Sequence, residues 1–271
     1  MEVTNPSNLY LDADSLIEVC YSSIMEGKIY LVGVGPGSHE DITPRAAKTL
    51  KNAQVIIGHK TCLDQLWKIV IGKEVVADEM TPLERAAITV DTAEQGKNVA
   101  VVSSGDIGIF AFASTFFSYL KNNGLKLKVE VIPGLTVASA AGALLGSPLG
   151  HDFATISLAD QATVWDNIKK RITFAAKADF VVVLYNPMGK VGIERIVEAT
   201  NILLDYRQPD TPVGVVTSAT IGQERVNIST LGNLSVKEIE ADTIVIIGNS
   251  KTYVYDGRMV TPRAYIKGVG Y

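Results

Sequence analysis

Short apolar runs of buried-strand length recur along this chain, and helical patterns separate them. Ile29-Tyr30-Leu31-Val32-Gly33-Val34 is the first, and Val55–Ile57, Val99–Val102, Val129–Ile132, Phe180–Tyr185, Val213–Val216 and Thr243–Ile247 follow. Runs without polar alternation read as strands covered on both faces. Between them, Pro44–Asn52, Thr61–Ile69, Pro82–Glu94, Ala111–Asn122, Val164–Ala176 and Ile193–Tyr206 space their apolar residues for helices. Strands alternating with helices predict an α/β architecture, with helices packed on mostly parallel sheets. After residue 220 the rhythm changes. Arg225–Leu231 alternates, and a short helix and two strand-like runs ending in Met259-Val260-Thr261 follow, which predicts antiparallel pairing late in the chain.

At 271 residues, the chain can form one large core or two smaller ones. The segment Leu-Gly-Ser-Pro-Leu-Gly-His-Asp at 145–152 favours two. We therefore expect a polar leader over 1–27, a first α/β domain over 28–147 and a second over 148–271, with a ligand cleft between the two. In the leader, Leu16, Ile17, Cys20, Tyr21 and Ile24 fit either a short docking helix or disorder. The twenty uncharged residues from Val131 to Gly150 match a membrane span in length. Pro133, Pro148 and three glycines interrupt them, so they read instead as strand, turn and a small-residue helix beginning near Thr136.

Lys plus Arg number 25 against 29 Asp plus Glu, a formal charge of −4. That balance disfavours a nucleic-acid surface spread over the molecule and favours a small-molecule substrate. Cys20 and Cys62 have no CxxC spacing and no adjacent His, so neither a disulfide framework nor a metal site is expected. The N-terminus has no basic start followed by an apolar core, and a cytoplasmic protein is the expectation.

The first strand runs into Gly33-Val34-Gly35-Pro36-Gly37-Ser38, after which Thr43 is placed to cap a helix with Pro44 at its first position. A dinucleotide fingerprint fails here, because Ser38 stands at the third glycine position and no acidic residue ends the next strand. A second loop, Ser103-Ser104-Gly105-Asp106-Ile107-Gly108, occupies the same place after its own strand. Asp106 can there accept hydrogen bonds from a ribose, or cap the following helix. Pro133-Gly134-Leu135-Thr136 and Tyr185-Asn186-Pro187-Met188-Gly189 are a third and a fourth loop. In open α/β sheets, ligands sit at the carboxyl edge that such loops rim.

These loops resemble the tetrapyrrole methylases that use S-adenosylmethionine. The resemblance spans about residues 28–266 and rests on Val-Gly-Val-Gly-Pro-Gly with Ile42-Thr43-Pro44, Ser104-Gly105-Asp106, Val131-Ile132-Pro133-Gly134-Leu135-Thr136 and Leu184-Tyr185-Asn186-Pro187. Within that family, the chain is most similar to the precorrin-3B or cobalt-factor III C-17-methyltransferases of cobalamin synthesis. The segments carrying this closer match are Ile57-Gly58-His59-Lys60-Thr61-Cys62-Leu63, Pro148-Leu149-Gly150-His151-Asp152-Phe153-Ala154, Leu184-Tyr185-Asn186-Pro187 and Gly257-Arg258-Met259-Val260-Thr261-Pro262-Arg263. The resemblance implies a homodimer, a cofactor held between two α/β domains, release of S-adenosylhomocysteine, and contraction of the macrocycle. It also implies cofactor contacts from Pro36, Gly105, Asp106, Ile109, Thr136, Val137, Tyr185, Asn186, Val215, Val216, Thr261 and Pro262. The alternatives are a precorrin-4 C-11 or uroporphyrinogen methylase, a diphthine synthase, or a non-catalytic relative that binds a tetrapyrrole or nucleotide.

Methyl transfer from a sulfonium is an in-line displacement that asks mainly for alignment and exclusion of water. Ring contraction benefits from acid–base help, for which His151, Asp152 and Asp160, with Ser157 nearby, are the candidates. A turn histidine is the plainer reading of His151. Arg45, Lys60 and Arg263, with Lys190 and Arg195, are candidates to pair with substrate carboxylates, and surface ion pairing is the competing reading for each. Lys169-Lys170-Arg171 reads as a solvent-facing charge run. Charge reversal at Arg45 or Arg263 is accordingly expected to weaken pigment binding more than reversal within that run.

Overall fold

The computed structural model describes residues 27–159, 163–187, 192–220 and 222–263. The leader up to residue 26, Asp160 and Lys190 lie outside the described residues. In chain order, the first elements are β1 (Ile29–Gly33), α1 (Pro44–Asn52), β2 (Val55–His59), α2 (Lys60–Gln65), α3 (Trp67–Val70), β3 (Glu74–Asp78), α4 (Pro82–Glu94), β4 (Val99–Ser103), α5 (Phe112–Asn122) and β5 (Val129–Ile132). Their strands form one sheet in the order β3-β2-β4-β1-β5, and every pair in it is parallel. All five carboxyl ends therefore share one edge.

Alternate side chains of these strands enter opposite cores. Ile29, Leu31, Val99 and Val101 pack with Val90 of α4 and Phe116 of α5. Val32, Ile56, Ala100 and Val102 pack with Leu50 of α1 and with Cys62, Leu63 and Leu66 on the other face. Removal of each such large side chain from water stabilises the fold by about 1.5–3 kcal/mol. Local signals agree with this packing. The Thr43 hydroxyl accepts from the Ala46 N–H at 3.1 Å with Pro44 in the first turn, and Thr81 and Glu84 form a capping box at α4. The helix expected over 61–69 is instead two pieces. It breaks at buried Leu66, whose N–H reaches back only three residues, to the Leu63 carbonyl. The charged-ended edge strand β3 has no counterpart in the sequence reading.

The second set comprises α6 (Val137–Leu145), β6 (Gly146–Ser147), β7 (Phe153–Ser157), α7 (Trp165–Lys177), β8 (Val181–Tyr185), α8 (Gly192–Leu204), β9 (Pro212–Thr217), β10 (Arg225–Thr230), β11 (Thr243–Ile247), β12 (Tyr253–Tyr255) and β13 (Arg258–Val260). The second five-stranded sheet has the order β10-β9-β11-β8-β7. Here the expected mostly parallel pairing holds only for β7 with β8. The strand β11 inserts antiparallel between β8 and β9, and β10 turns back on β9 as a hairpin. The antiparallel character expected after residue 220 thus extends to the centre of this sheet. Its cause is that β11 enters without a helical crossover, by way of two single-turn 3₁₀ segments.

Although α6 precedes residue 147, it packs on the second sheet. Ala138, Ala141 and Leu145 lie against Val181, Val183, Val216 and Ile246. Gly214 makes room for this, because a Cβ there would stand 2.4 Å from a Leu145 methyl. The uncharged segment from Val131 to Gly150 is thus β5, a turn, nine-residue α6 and β6. Among the described residues, no helix is long and apolar enough to cross a membrane.

Candidate active site

The loops after β1, β4 and β5 close on one another through backbone. Gly35 and Gly105 exchange hydrogen bonds of 3.1 and 2.8 Å, and Gly105 adopts φ +68°, a conformation that favours glycine. A Cβ on Gly134 would lie 2.2 Å from the Gly105 carbonyl oxygen and 2.6 Å from the Gly33 carbonyl carbon, so the three backbones meet with no space for a side chain. Asp106 fastens this junction. One carboxylate oxygen accepts the Gly108 N–H at 2.8 Å, and the other accepts the Gly134 N–H at 3.0 Å. Its role in this structure is therefore to bridge the second and third loops. The residue capping α5 is Ala111.

From the second sheet, Tyr185 at the end of β8 reaches the same edge. Its hydroxyl bonds the Thr136 Oγ1 at 2.7 Å and accepts the Ala138 N–H at 3.1 Å. That oxygen serves the orphan donors of α6, which Thr136 itself does not. Asn186 follows at φ +52° and donates from Nδ2 to the Ser157 Oγ at 3.1 Å. The Ser38 N–H reaches the Thr220 Oγ1 at 3.4 Å, joining the first loop to the end of β9.

Two adjoining cavities among those lined from both halves share residues. The smaller, about 230 Å³, is lined by Pro36, Ser104, Val137, Tyr185 and Asn186, with Ser218, Ala219 and Asp242 among the others. The larger, about 670 Å³, is lined from both halves, with Phe110, Phe112, Thr155 and Ser157 among its residues. Asn186 and Ala241 belong to both walls. Phe110, Asn186 and Ser218, none of them glycine, hold φ of 50°, 52° and 54° at these walls. Such strained backbone concentrates where a binding surface dictates geometry. Asp242 takes the Ser218 hydroxyl at 2.5 Å. Cys62 also lines the smaller cavity, and burial pushes its thiol up to about 12.

Of the expected cofactor contacts, Pro36, Val137, Tyr185 and Asn186 line the smaller cavity, while Gly105, Asp106 and Thr136 build the loops behind it. Ile109 is partly exposed in the turn after Asp106. Val215 and Val216 do not line that cavity, although Val216 pairs with Ile244 of its wall and shares a core with Val137, Ala219 and Tyr185. Both valines are paired on both sides within β9, with side chains buried in the two opposed cores. Thr261 lies elsewhere, buried and bonded to the Thr252 hydroxyl, its N–H on the Ser147 carbonyl. With Pro262 and exposed Arg263, it follows β13, at the end of α6 away from the cleft.

His151 and Asp152 are likewise not in the cleft. Asp152 accepts from the Val181 N–H at the start of β8, whereas the cleft is at the Ser157–Tyr185 end of that pair. The separation is roughly 15 Å at about 3.3 Å per residue. The His151 Nδ1 accepts the Asp152 N–H at 2.7 Å, the behaviour of a turn histidine. Arg45 pairs with Glu130 at 2.6 Å, and Lys60 lies on an exposed hollow with Leu63 and Trp67. Arg195 is buried, its guanidinium under the Trp165 ring and bonded to the Leu158 carbonyl. The sequence reading missed Ser218 and Ala219, which follow β9, and Asp242, which the antiparallel insertion of β11 brings to the cleft. It also missed Arg85 and Arg171 on the larger cavity.

The residues lining the smaller cavity suit a nucleoside carrying a charged arm: apolar surface from Pro36, Val137 and Ile244, polar groups from Ser104, Asn186 and Thr243, and one carboxylate, Asp242. Together the fold and the paired cavities define an α/β protein with two adjoining hollows lined from both sheets' loops. The family model for tetrapyrrole (corrin/porphyrin) methylases matches residues 28–235. The chain belongs to the tetrapyrrole methylases, as its loop sequences imply. It is 44% identical over 89% of its length to a cobalt-factor III methyltransferase of Priestia megaterium, of which it covers 46%. It is 39% identical to a probable cobalt-factor III C(17)-methyltransferase of Salmonella typhimurium, with 87% of this chain and 98% of the relative covered. The chain thus spans about half of the first relative and nearly all of the second. The crystal structure of the methyltransferase CobJ superposes with a TM-score of 0.80 at 30% identity, covering 87% of this chain and 100% of that one.

Proposed function

We propose that this protein is an S-adenosylmethionine-dependent C-methyltransferase of cobalamin biosynthesis, methylating C-17 of cobalt-factor III or precorrin-3B with contraction of the ring. The observation that carries the reading is the pair of cavities sharing Asn186 and Ala241, which provides a place for a methyl donor beside a larger one for a flat acceptor. The names and coverage of the relatives support the acceptor. A homodimer, as the resemblance implies, and a cytoplasmic location, as expected from the N-terminal sequence, complete the proposal.

The cofactor would supply an electrophilic methyl group on a sulfonium, and would be held by Pro36, Ser104, Val137, Tyr185, Asn186 and Asp242. The protein's contribution is placement. Loops cross-braced by Asp106 and Tyr185 hold the donor surface rigid, so that an acceptor carbon meets the methyl group in line and away from water. An electron-rich acceptor carbon needs no activated nucleophile, so the Ser218 hydroxyl bonded to Asp242 on the donor wall is read as a binding group. Incubation with labelled S-adenosylmethionine and cobalt-factor III or precorrin-3B, followed by mass spectrometry of the pigment, tests the reading. A pigment that gains one labelled methyl group is expected, and the absence of methyl transfer to either pigment refutes it.

A further inference from the structure

The larger cavity has a distinctive charge pattern. Among its described lining residues, Arg85 and Arg171 are the charged ones, and none is a carboxylate. Arg85 projects from the first turn of α4, beside the first sheet, and Arg171 from α7, beside the second. Two guanidinium groups on different halves of the molecule thus border one space in a protein of net charge −4. The other described lining residues are aromatic, apolar or neutral polar. The Phe112 ring centroid is 5.6 Å from the Arg85 guanidinium carbon, Phe110 is half exposed, and Thr155, Ser157 and Asn186 supply hydroxyl and amide groups.

We propose that Arg85 and Arg171 are the carboxylate-binding residues of the acceptor cavity, each taking a peripheral carboxylate of a flat macrocycle from an opposite wall. The proposal rests on the reading of that cavity as the acceptor site. A guanidinium offers paired N–H donors that match a carboxylate, and stacks on aromatic surface as an ammonium does not. Long-range attraction is weak in an acidic protein, so affinity for a polyanionic pigment is concentrated in such local contacts. Two anchors on separate elements also fix the orientation of the macrocycle, and with it the carbon presented to the methyl donor. Arg171 belongs to the charge run that reads from sequence as solvent-facing, and its neighbour Lys170 is exposed and absent from this wall.

The test is absorbance titration of the full-length protein with cobalt-factor III, and with the same pigment after methyl esterification of its carboxyl groups. The variants are R85Q, R85K, R171Q, R171K and K170Q, each checked for folding by circular dichroism and for a thermal shift with S-adenosylhomocysteine. We expect R85Q and R171Q each to weaken binding of the free acid by about 10- to 100-fold, the lysine variants to recover part of that loss, and K170Q to match wild type. The ester should bind wild type weakly and the glutamine variants no more weakly. Wild-type affinity for the free acid in R85Q and R171Q overturns the assignment alone, as does an equal loss for acid and ester, which marks a packing role. Failure of the wild-type protein to bind pigment at all overturns the acceptor reading and this assignment with it.

Discussion

The Asp106 carboxylate holds the Gly134 N–H at 3.0 Å across two loops that start from different strands. Asn at this position keeps one acceptor oxygen and replaces the other with an amide donor. Asp106→Asn should therefore cost about 1.5–3 kcal/mol, the usual range for a hydrogen bond to a charged group, and should loosen cofactor binding through the loops. Urea denaturation and calorimetric titration with S-adenosylhomocysteine check both effects.

At Gly134 the limit is space. A methyl group would meet backbone at 2.2 Å, and that backbone is fixed by the Gly35–Gly105 hydrogen bonds. Gly134→Ala is expected to destabilise by about 3 kcal/mol or more, the upper end of overpacking. Stabilisation by S-adenosylhomocysteine in a thermal melt, present in wild type by mass action, should be lost.

Tyr185→Phe removes one oxygen that accepts the Ala138 N–H and bonds the Thr136 hydroxyl. The loss resembles that of a helix cap, about 1 kcal/mol, and a lowered melting temperature with retained secondary structure is the expected result. An unchanged melting temperature would mean that water replaces the hydroxyl at no cost.

Glu130 predicts a pH response. Hydrogen bonds from Lys28 first, and then from Arg45, hold its carboxyl below the ordinary value of 4.5. A carboxyl lowered on folding contributes stability that is fully present above its unfolded value and is lost as pH falls through its folded value. The contribution should be present at neutral pH and disappear below about 4.5. Denaturation midpoints measured from pH 6 to 3 should fall more steeply in wild type than in Glu130→Gln.

Asp242 is the carboxylate among the described residues lining the smaller cavity. Asp242→Asn should raise the Kd of S-adenosylmethionine and S-adenosylhomocysteine alike, by roughly tenfold if the carboxylate meets the amino group common to both. Isothermal titration with each ligand checks this. Unchanged affinity for both would place the amino-acid arm of the cofactor elsewhere.

Arg45 and Arg171 show where sequence reading reached its limit. The first lies close in sequence to a glycine loop, and yet it pairs with Glu130 on an edge strand. The second lies in a run of cations that looks solvated, and yet it borders the larger cavity. On the assignment proposed above, the order of effects expected from sequence, with Arg45 or Arg263 ahead of the run, would reverse for Arg171. Which way a long side chain on a surface helix faces depends on what packs beside that helix, and local sequence does not contain that information.

What the sequence determined by itself is whatever local chemistry dictates. Continuous apolar runs specify buried strands such as Thr243–Ile247, Thr43-Pro44 starts α1 where capping and proline require, and the glycines of the first three loops mark where backbones must touch. These same features carried the family. Tertiary structure alone decided the rest. It inserted β11 antiparallel between β8 and β9, so that Asp242 reaches the cleft beside Ser218. It also buried Val215 and Val216 on opposite faces, and left His151 and Asp152 at the far end of β7. Strand order and direction are set by long-range packing between segments many residues apart. A one-strand change in order moves a residue from a cavity wall to a core without altering its neighbours in the chain.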